Sequence, residues 1–252
     1  MEDSQKKVFL IFLGMSQAIA IVMVVLVIVW TSKTLEGFAW DGTSKEFNLH
    51  PLCMICGYIL LYGEAILSFR VFSQHDKRFV KVIHGFFHLI AFVTAVVGIV
   101  AVFDFHNSSK PPIPNMYSLH SWCGMIAFLL FCLQYVFGFV TFLFPGLALA
   151  HRQFYLPIHK YFGLSILFMM AMASISGITE KLFFKFPSGQ YSKLPYGAVI
   201  GNCLGLSILA FIMVVGYIVY NPKWKREEDS ENEPLSVHFK PISTNDDGSD
   251  DE

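Results

Sequence analysis

Six long apolar runs alternate with short polar stretches along the chain: about Val8 to Trp30, His50 to Phe69, Val82 to Phe103, His120 to Phe144, Pro157 to Ile178 and Ala198 to Tyr220. A helix rises ~1.5 Å per residue, so ~20 apolar residues cross a hydrocarbon core of ~30 Å, and each run is predicted to be a membrane-spanning helix. Because the connections are short, neighbouring helices run antiparallel, as in a bundle. The predicted fold class is all-α, a six-transmembrane-helix bundle in which spans two to five form a central four-helix core. The first run is longer than the ~7–15 apolar residues of a signal peptide and no small-residue cleavage site follows it, so it is read as a retained helix. Residues 1–226 form one membrane domain, and residues 227–252 form an acidic, Ser- and Asn-rich tail with the composition of a disordered segment.

Composition agrees with this pattern: 54% hydrophobic and 15% charged residues are far from the mixture of a soluble domain. Charge adds orientation. Lys6, Lys7, Arg70, Lys77, Arg78, Lys81, Arg152, Lys160, Lys223, Lys225 and Arg226 fall on one side, against Lys33, Lys45, Lys110, Lys181, Lys185 and Lys193 on the other. The first side is therefore assigned as cytosolic, with both termini on it. Nothing supports nucleic-acid binding. The 5 cysteines all lie in apolar runs, where a thiol packs as a small hydrophobe, so no extracellular disulfide framework is expected. Asn107-Ser108-Ser109 is a glycosylation sequon, but it sits beside the membrane in the predicted outer loop Asn107 to Asn115.

The histidines carry the chemistry. Imidazole is costly in hydrocarbon, and ionisable residues within spans face the bundle interior and mark functional paths. His50 and His120 open the second and fourth spans near the outer surface. His84, with His88 one turn deeper, and His159 lie near the inner surface. In a sequentially wound bundle the second and fourth spans face each other across one diagonal, and the third and fifth across the other. Two pairs at matched depths can each hold a flat ligand from both faces, and neutral imidazole is an axial ligand of haem iron. Two bis-histidine haems per chain is the reading that uses all four residues. A lone histidine at a helix end needs only an interhelical hydrogen bond, and His84 with His88 could instead begin a metal or proton transport site, but no third ligand stands beside them. Gly57, Gly85, Gly124 and Gly163, within seven residues of the four histidines, are expected to let backbone approach a bulky guest.

Sites near both faces favour electron transfer across the membrane. At the inner face Lys77, Arg78, Lys81 and Arg152 would attract an anion. At the outer face Phe105, His106, Asn115, Met116 and Tyr117 border His120, and His106 could exchange a proton as a bound reductant loses an electron. Glu64 is an intramembrane acid with no obvious cation nearby, either a proton acceptor or a polar bundle contact.

The motifs F-N-L-H-P-L-C-M (Phe47 to Met54), K-V-I-H-G-F-F-H (Lys81 to His88), V-A-V-F-D-F-H (Val100 to His106), N-M-Y-S-L-H-S-W-C-G (Asn115 to Gly124) and P-I-H-K-Y-F-G (Pro157 to Gly163) resemble the ascorbate-dependent cytochrome b561 family over about Gly37 to Arg226. Arg70-Val71-Phe72 and the tail Leu235 to Lys240 are most similar to its secretory (chromaffin) granule branch. The resemblance implies a homodimer with two b haems per chain, His50 with His120 as outer ligands and His84 with His159 as inner ligands, His88 being a neighbour. It also implies cytosolic ascorbate near Lys77, Lys81 and Arg152, and an outer site near Phe105, His106, Asn115 and Tyr117. There monodehydroascorbate, or ferric iron in some relatives, takes the electron. The expected location is a secretory-granule membrane, ahead of lysosome or plasma membrane.

Overall fold

The computed structural model describes residues 2–186 and 189–226; the acidic tail lies outside the described residues. The described chain is helical, with spans α1 (Asp3–Thr34), α2 (Ser44–Val71), α3 (Lys77–Ser108), α4 (Leu119–Phe142), α5 (Leu149–Lys185) and α6 (Tyr196–Tyr220). All are apolar and long enough to cross a bilayer, and the protein is an integral membrane protein.

Four of the helices extend well beyond their apolar runs. α3 starts at Lys77, where Asp76 accepts the Arg78 and Phe79 amides at 2.8 and 3.2 Å. It ends at Ser108, with its last carbonyls taken up by Ser109 Oγ on Phe105 O (2.7 Å) and the Ile113 amide on His106 O (3.0 Å). His106 is therefore in the final helical turn, and the outer loop starts two residues later than the polar composition suggested. α5 starts at Leu149, so Pro157 lies inside a helix rather than at its start. A proline there removes one backbone hydrogen bond, at the carbonyl four residues back.

α2 with α3, and α4 with α5, form two antiparallel hairpins; α1 and α6 pack on each other and cover one side of the core, mainly at α2 and α5. Glycine sets the closest approach in the first hairpin. A β-carbon on Gly57 would meet Thr94 Oγ1 at 2.0 Å, and one on Gly98 would meet the Cys53 β-carbon at 2.9 Å. α2 is the central helix, with Ile55, Ile59, Tyr62, Ala65 and Leu67 almost fully buried. Over Cys53–Leu60 it widens into a π-helix, a geometry often found beside functional sites. The Tyr62 hydroxyl crosses to α5 and donates to Gly163 O at 2.9 Å.

The turn into α2 is tied down by buried Asn48, whose amide donates to Leu35 O and Gly37 O, both at 2.6 Å. At mid-depth Gln17 of α1 donates to the Glu64 carboxylate at 2.9 Å, so Glu64 is a polar contact between spans. Phe12 packs on Tyr217 (4.6 Å between ring centres) and Phe9 meets Trp224 (5.6 Å), closing the end where α1 begins and α6 ends. Gly201 packs on Leu182 of α5 within the chain, whereas Gly205 faces open space. Leu129, Leu133, Val136 and Phe137 of α4 are exposed, as expected of a lipid-facing surface.

Candidate functional site

The two hairpins face each other through histidine. His50 and His120 have ring centres 6.0 Å apart at the outer end, and His84 and His159 have ring centres 6.2 Å apart at the inner end. His84 and Gly98 lie fourteen residues apart on α3, which places the two levels ~21 Å apart along the helix.

Each hairpin orients its own imidazoles. His50 on α2 donates from Nδ1 to Gly98 O on α3 (3.1 Å), and His84 on α3 donates from Nδ1 to Ala65 O on α2 (2.8 Å). A carbonyl can only accept, so Nδ1 carries the proton and Nε2 keeps its lone pair. Carbonyl anchoring of one nitrogen is the arrangement that orients a metal-binding imidazole. The second hairpin repeats the exchange in part. His120 on α4 donates from Nδ1 to Ala173 O on α5 (2.7 Å), and its ring lies against Gly177, where a β-carbon would come 2.5 Å from Cε1. His159 on α5 lies against Gly138 of α4, where a β-carbon would come 2.9 Å from Cε1, but its buried Nδ1 has no hydrogen-bond partner. Gln134 fixes this turn instead, donating to His159 O at 2.6 Å.

These pairs fit haem iron. With metal–nitrogen bonds of ~2.0–2.1 Å and roughly 1 Å from nitrogen to ring centre, two axial imidazoles place their ring centres about 6 Å apart. Each pair supplies two neutral nitrogen donors. Among the described residues no three His, Cys, Asp or Glu side chains gather as a transported metal ion would require. His50 with His120 would hold the outer haem, and His84 with His159 the inner one.

Between the two levels runs a chain of aromatic contacts. His88 is buried, with its ring 4.5 Å from His84 and 4.5 Å from Tyr62. Tyr62 touches Phe131 (5.4 Å), which touches Tyr58 (5.4 Å), and Tyr58 touches Phe128 (6.2 Å). His88 thus stands beside the inner pair, one helical turn nearer the outer one.

At the inner mouth Lys81 donates to Phe142 O, the last carbonyl of α4, at 3.0 Å. Lys77, Arg78 and Arg152 lie within electrostatic range of it, and the buried Nε of Arg152 has no hydrogen-bond partner. Phe142 touches His159 (5.2 Å), so the basic cluster abuts the inner histidine pair. The outer mouth gathers a different set. His106 and Asn115 are joined through Nδ1 and Oδ1 at 3.1 Å, Asn115 donates to Asn107 at 2.9 Å, and Phe105 bridges His106 (5.7 Å) and Phe47 (5.6 Å). Tyr117 instead lines a cleft of about 610 Å³ with Ser176, Thr179, Glu180, Phe183 and Phe184. Partial burial, and then the Glu180 charge, hold its phenol above the usual value. Met116 takes a left-handed backbone (φ 56°), and its carbonyl accepts from Trp122 Nε1 at 2.7 Å.

The four histidines and the residues of the two mouths are readable from the sequence; what seats the imidazoles is not. Gly85 and Gly124, proposed from proximity in sequence, have only ordinary contacts, while Gly57 and Gly163 face Thr94 and Gln134. The glycines that lie against the rings or accept from them, Gly98, Gly138 and Gly177, belong to the opposite helix of each hairpin, as do the acceptors Ala65 and Ala173.

The sequence profile described as "Eukaryotic cytochrome b561" matches residues 49–185. The transmembrane ascorbate-dependent reductase of Mus musculus is 40% identical over 235 residues, covering 93% of this chain and 92% of that protein. The plasma membrane ascorbate-dependent reductase of Xenopus tropicalis is 40% identical over 232 residues (91% of this chain, 81% of that one). The lysosomal membrane ascorbate-dependent ferrireductase of Danio rerio is 41% identical over 232 residues (89% and 92%).

Proposed function

The chain belongs to the eukaryotic cytochrome b561 family, and we propose that it is a transmembrane oxidoreductase carrying electrons from cytosolic ascorbate to an acceptor on the opposite face. The observation that supports this most is the pair of facing imidazoles at each of two depths, His84 with His159 and His50 with His120. Haem bound by each pair would supply a one-electron iron couple. The protein's residues do the rest. Lys81, Lys77 and Arg152 bind the ascorbate anion at the inner mouth, and the proton shed as ascorbate becomes monodehydroascorbate leaves to cytosolic water. At the outer mouth His106, with Nδ1 facing Asn115, delivers the proton that accompanies one-electron reduction of lumenal monodehydroascorbate to ascorbate. The packed aromatics between the levels exclude water from the path.

The protein acts as a homodimer with two b haems per chain in a secretory-granule membrane, its termini cytosolic. The basic residues around the inner ends of the spans support that orientation. The relative named as a lysosomal membrane ascorbate-dependent ferrireductase makes ferric iron the second acceptor to test.

Proteoliposomes of one orientation, with ascorbate on the Lys81 side, test the reading. Electrons should reach monodehydroascorbate or a ferric chelate on the far side, and Lys81→Gln should raise the KM for ascorbate without slowing reduction by dithionite. No transfer across the membrane in wild type would overturn it.

A further inference from the structure

We propose that Lys181 is an oxyanion-binding residue at the outer mouth, a role that rests on the function proposed above. Ala173, Gly177 and Lys181 of α5 are spaced four residues apart and so lie in line. Ala173 accepts the His120 hydrogen bond and Gly177 seats the His120 ring, so Lys181 stands one turn further out above the same imidazole.

Its side chain reaches inward rather than outward. Nζ lies 3.8 Å from the centre of the Phe47 ring, across from α5 to the start of α2. Phe47 in turn lies 6.1 Å from His50 and 5.6 Å from Phe105, which adjoins His106. The ammonium therefore joins the aromatic cluster that links the outer histidine pair to the outer mouth.

Lys181 is half-buried, and among the described residues no carboxylate pairs with it. Nearby charges are committed elsewhere: Glu180 accepts from Ser118 at 3.1 Å, and Lys185, one turn on, pairs with Glu36 at 3.2 Å. A lysine at a helix end normally extends its head into water, as Lys185 does. A ring face satisfies an ammonium from one side only, and its three N–H donors call for an acceptor. An oxyanion at the outer mouth, either a haem propionate carboxylate or the enolate oxygen of an ascorbate-type substrate, would accept from it. The chemistry is the same and the experiment separates the two sources.

Haem-loaded wild type, Lys181→Gln, Lys181→Arg and a surface control, Lys185→Gln, are compared in two measurements. The first is the outer-face KM for ferricyanide, an anion, and for hexaammineruthenium(III), a cation, with ascorbate on the inner side. The second is an equilibrium titration of both haems with dithionite, which reads Lys181 even where ascorbate fails to donate. A substrate oxyanion predicts a KM for ferricyanide about tenfold higher in Lys181→Gln, little change for the cation, and recovery in Lys181→Arg. A propionate predicts a lower midpoint for the outer haem alone. Lys181→Met, which keeps the stem on Phe47, replaces Lys181→Gln if that variant does not accumulate. Ferricyanide KM and outer-haem midpoint both matching the Lys185→Gln control would overturn the proposal. Wild type that passes no electrons from ascorbate would instead contradict the function proposed above.

Discussion

The ring of His120 lies so close to the backbone of Gly177 that a β-carbon there would sit 2.5 Å from Cε1. Both groups are on helices of the same hairpin, so there is little room for either to retreat. Gly177→Ala should displace the imidazole and remove the outer haem while the inner one remains, at an overpacking cost of about 1–3 kcal/mol. Gly138→Ala, beside His159, should do the reverse. Visible absorption of the purified variants checks this; both haems retained in both variants would show that the glycines do not seat the rings.

The Gln17–Glu64 contact predicts an asymmetry between single and double substitutions. Gln17→Leu strands a carboxyl in a crevice lined by Ala20, Ile21, Val24, Leu60 and Leu61 and should cost about 1–3 kcal/mol. Glu64→Gln keeps a hydrogen-bonding partner and should be milder. Gln17→Leu with Glu64→Leu removes both polar groups and should recover much of the loss. Thermal unfolding in detergent would reveal the pattern, and a double variant worse than Gln17→Leu would contradict it.

Asp76 gives a pH dependence whose sign is fixed. Hydrogen bonds from the Phe79 and Arg78 amides hold its carboxyl below the usual 3.8, so the folded protein binds its proton less readily than the unfolded chain. The stabilisation is present above the unfolded value and is lost as pH falls through the lower folded value. Asp76→Asn, which still caps a helix but does not titrate, should show a smaller fall in thermal midpoint between neutral pH and pH ~3. An equal fall in both proteins would mean that the cap does not contribute.

The spans and the depth-matched histidines were legible because hydrophobic run length and imidazole position are written directly along the chain. The cradle was not. Gly98, Gly138 and Gly177 matter through the opposite helix of a hairpin, and their value depends on register that apolar runs do not specify. Lys181 entered the sequence reading only as one outer charge among six; its turn toward Phe47 depends on how the two hairpins meet. The start of α3 shifted because the Asp76 cap, not hydropathy, decides where that helix begins; α5 runs past its apolar stretch at both ends with no side-chain cap at its start.

On the proposed function, each same-depth histidine pair holds one haem. Haem content per chain of purified wild type, His84→Ala and His120→Ala, determined by pyridine haemochrome absorbance against quantitative amino-acid analysis, tests it most directly. The expected values are two, one and one, with the surviving haem in each variant at the other depth. A colourless wild type, or variants that both keep two haems, would contradict it.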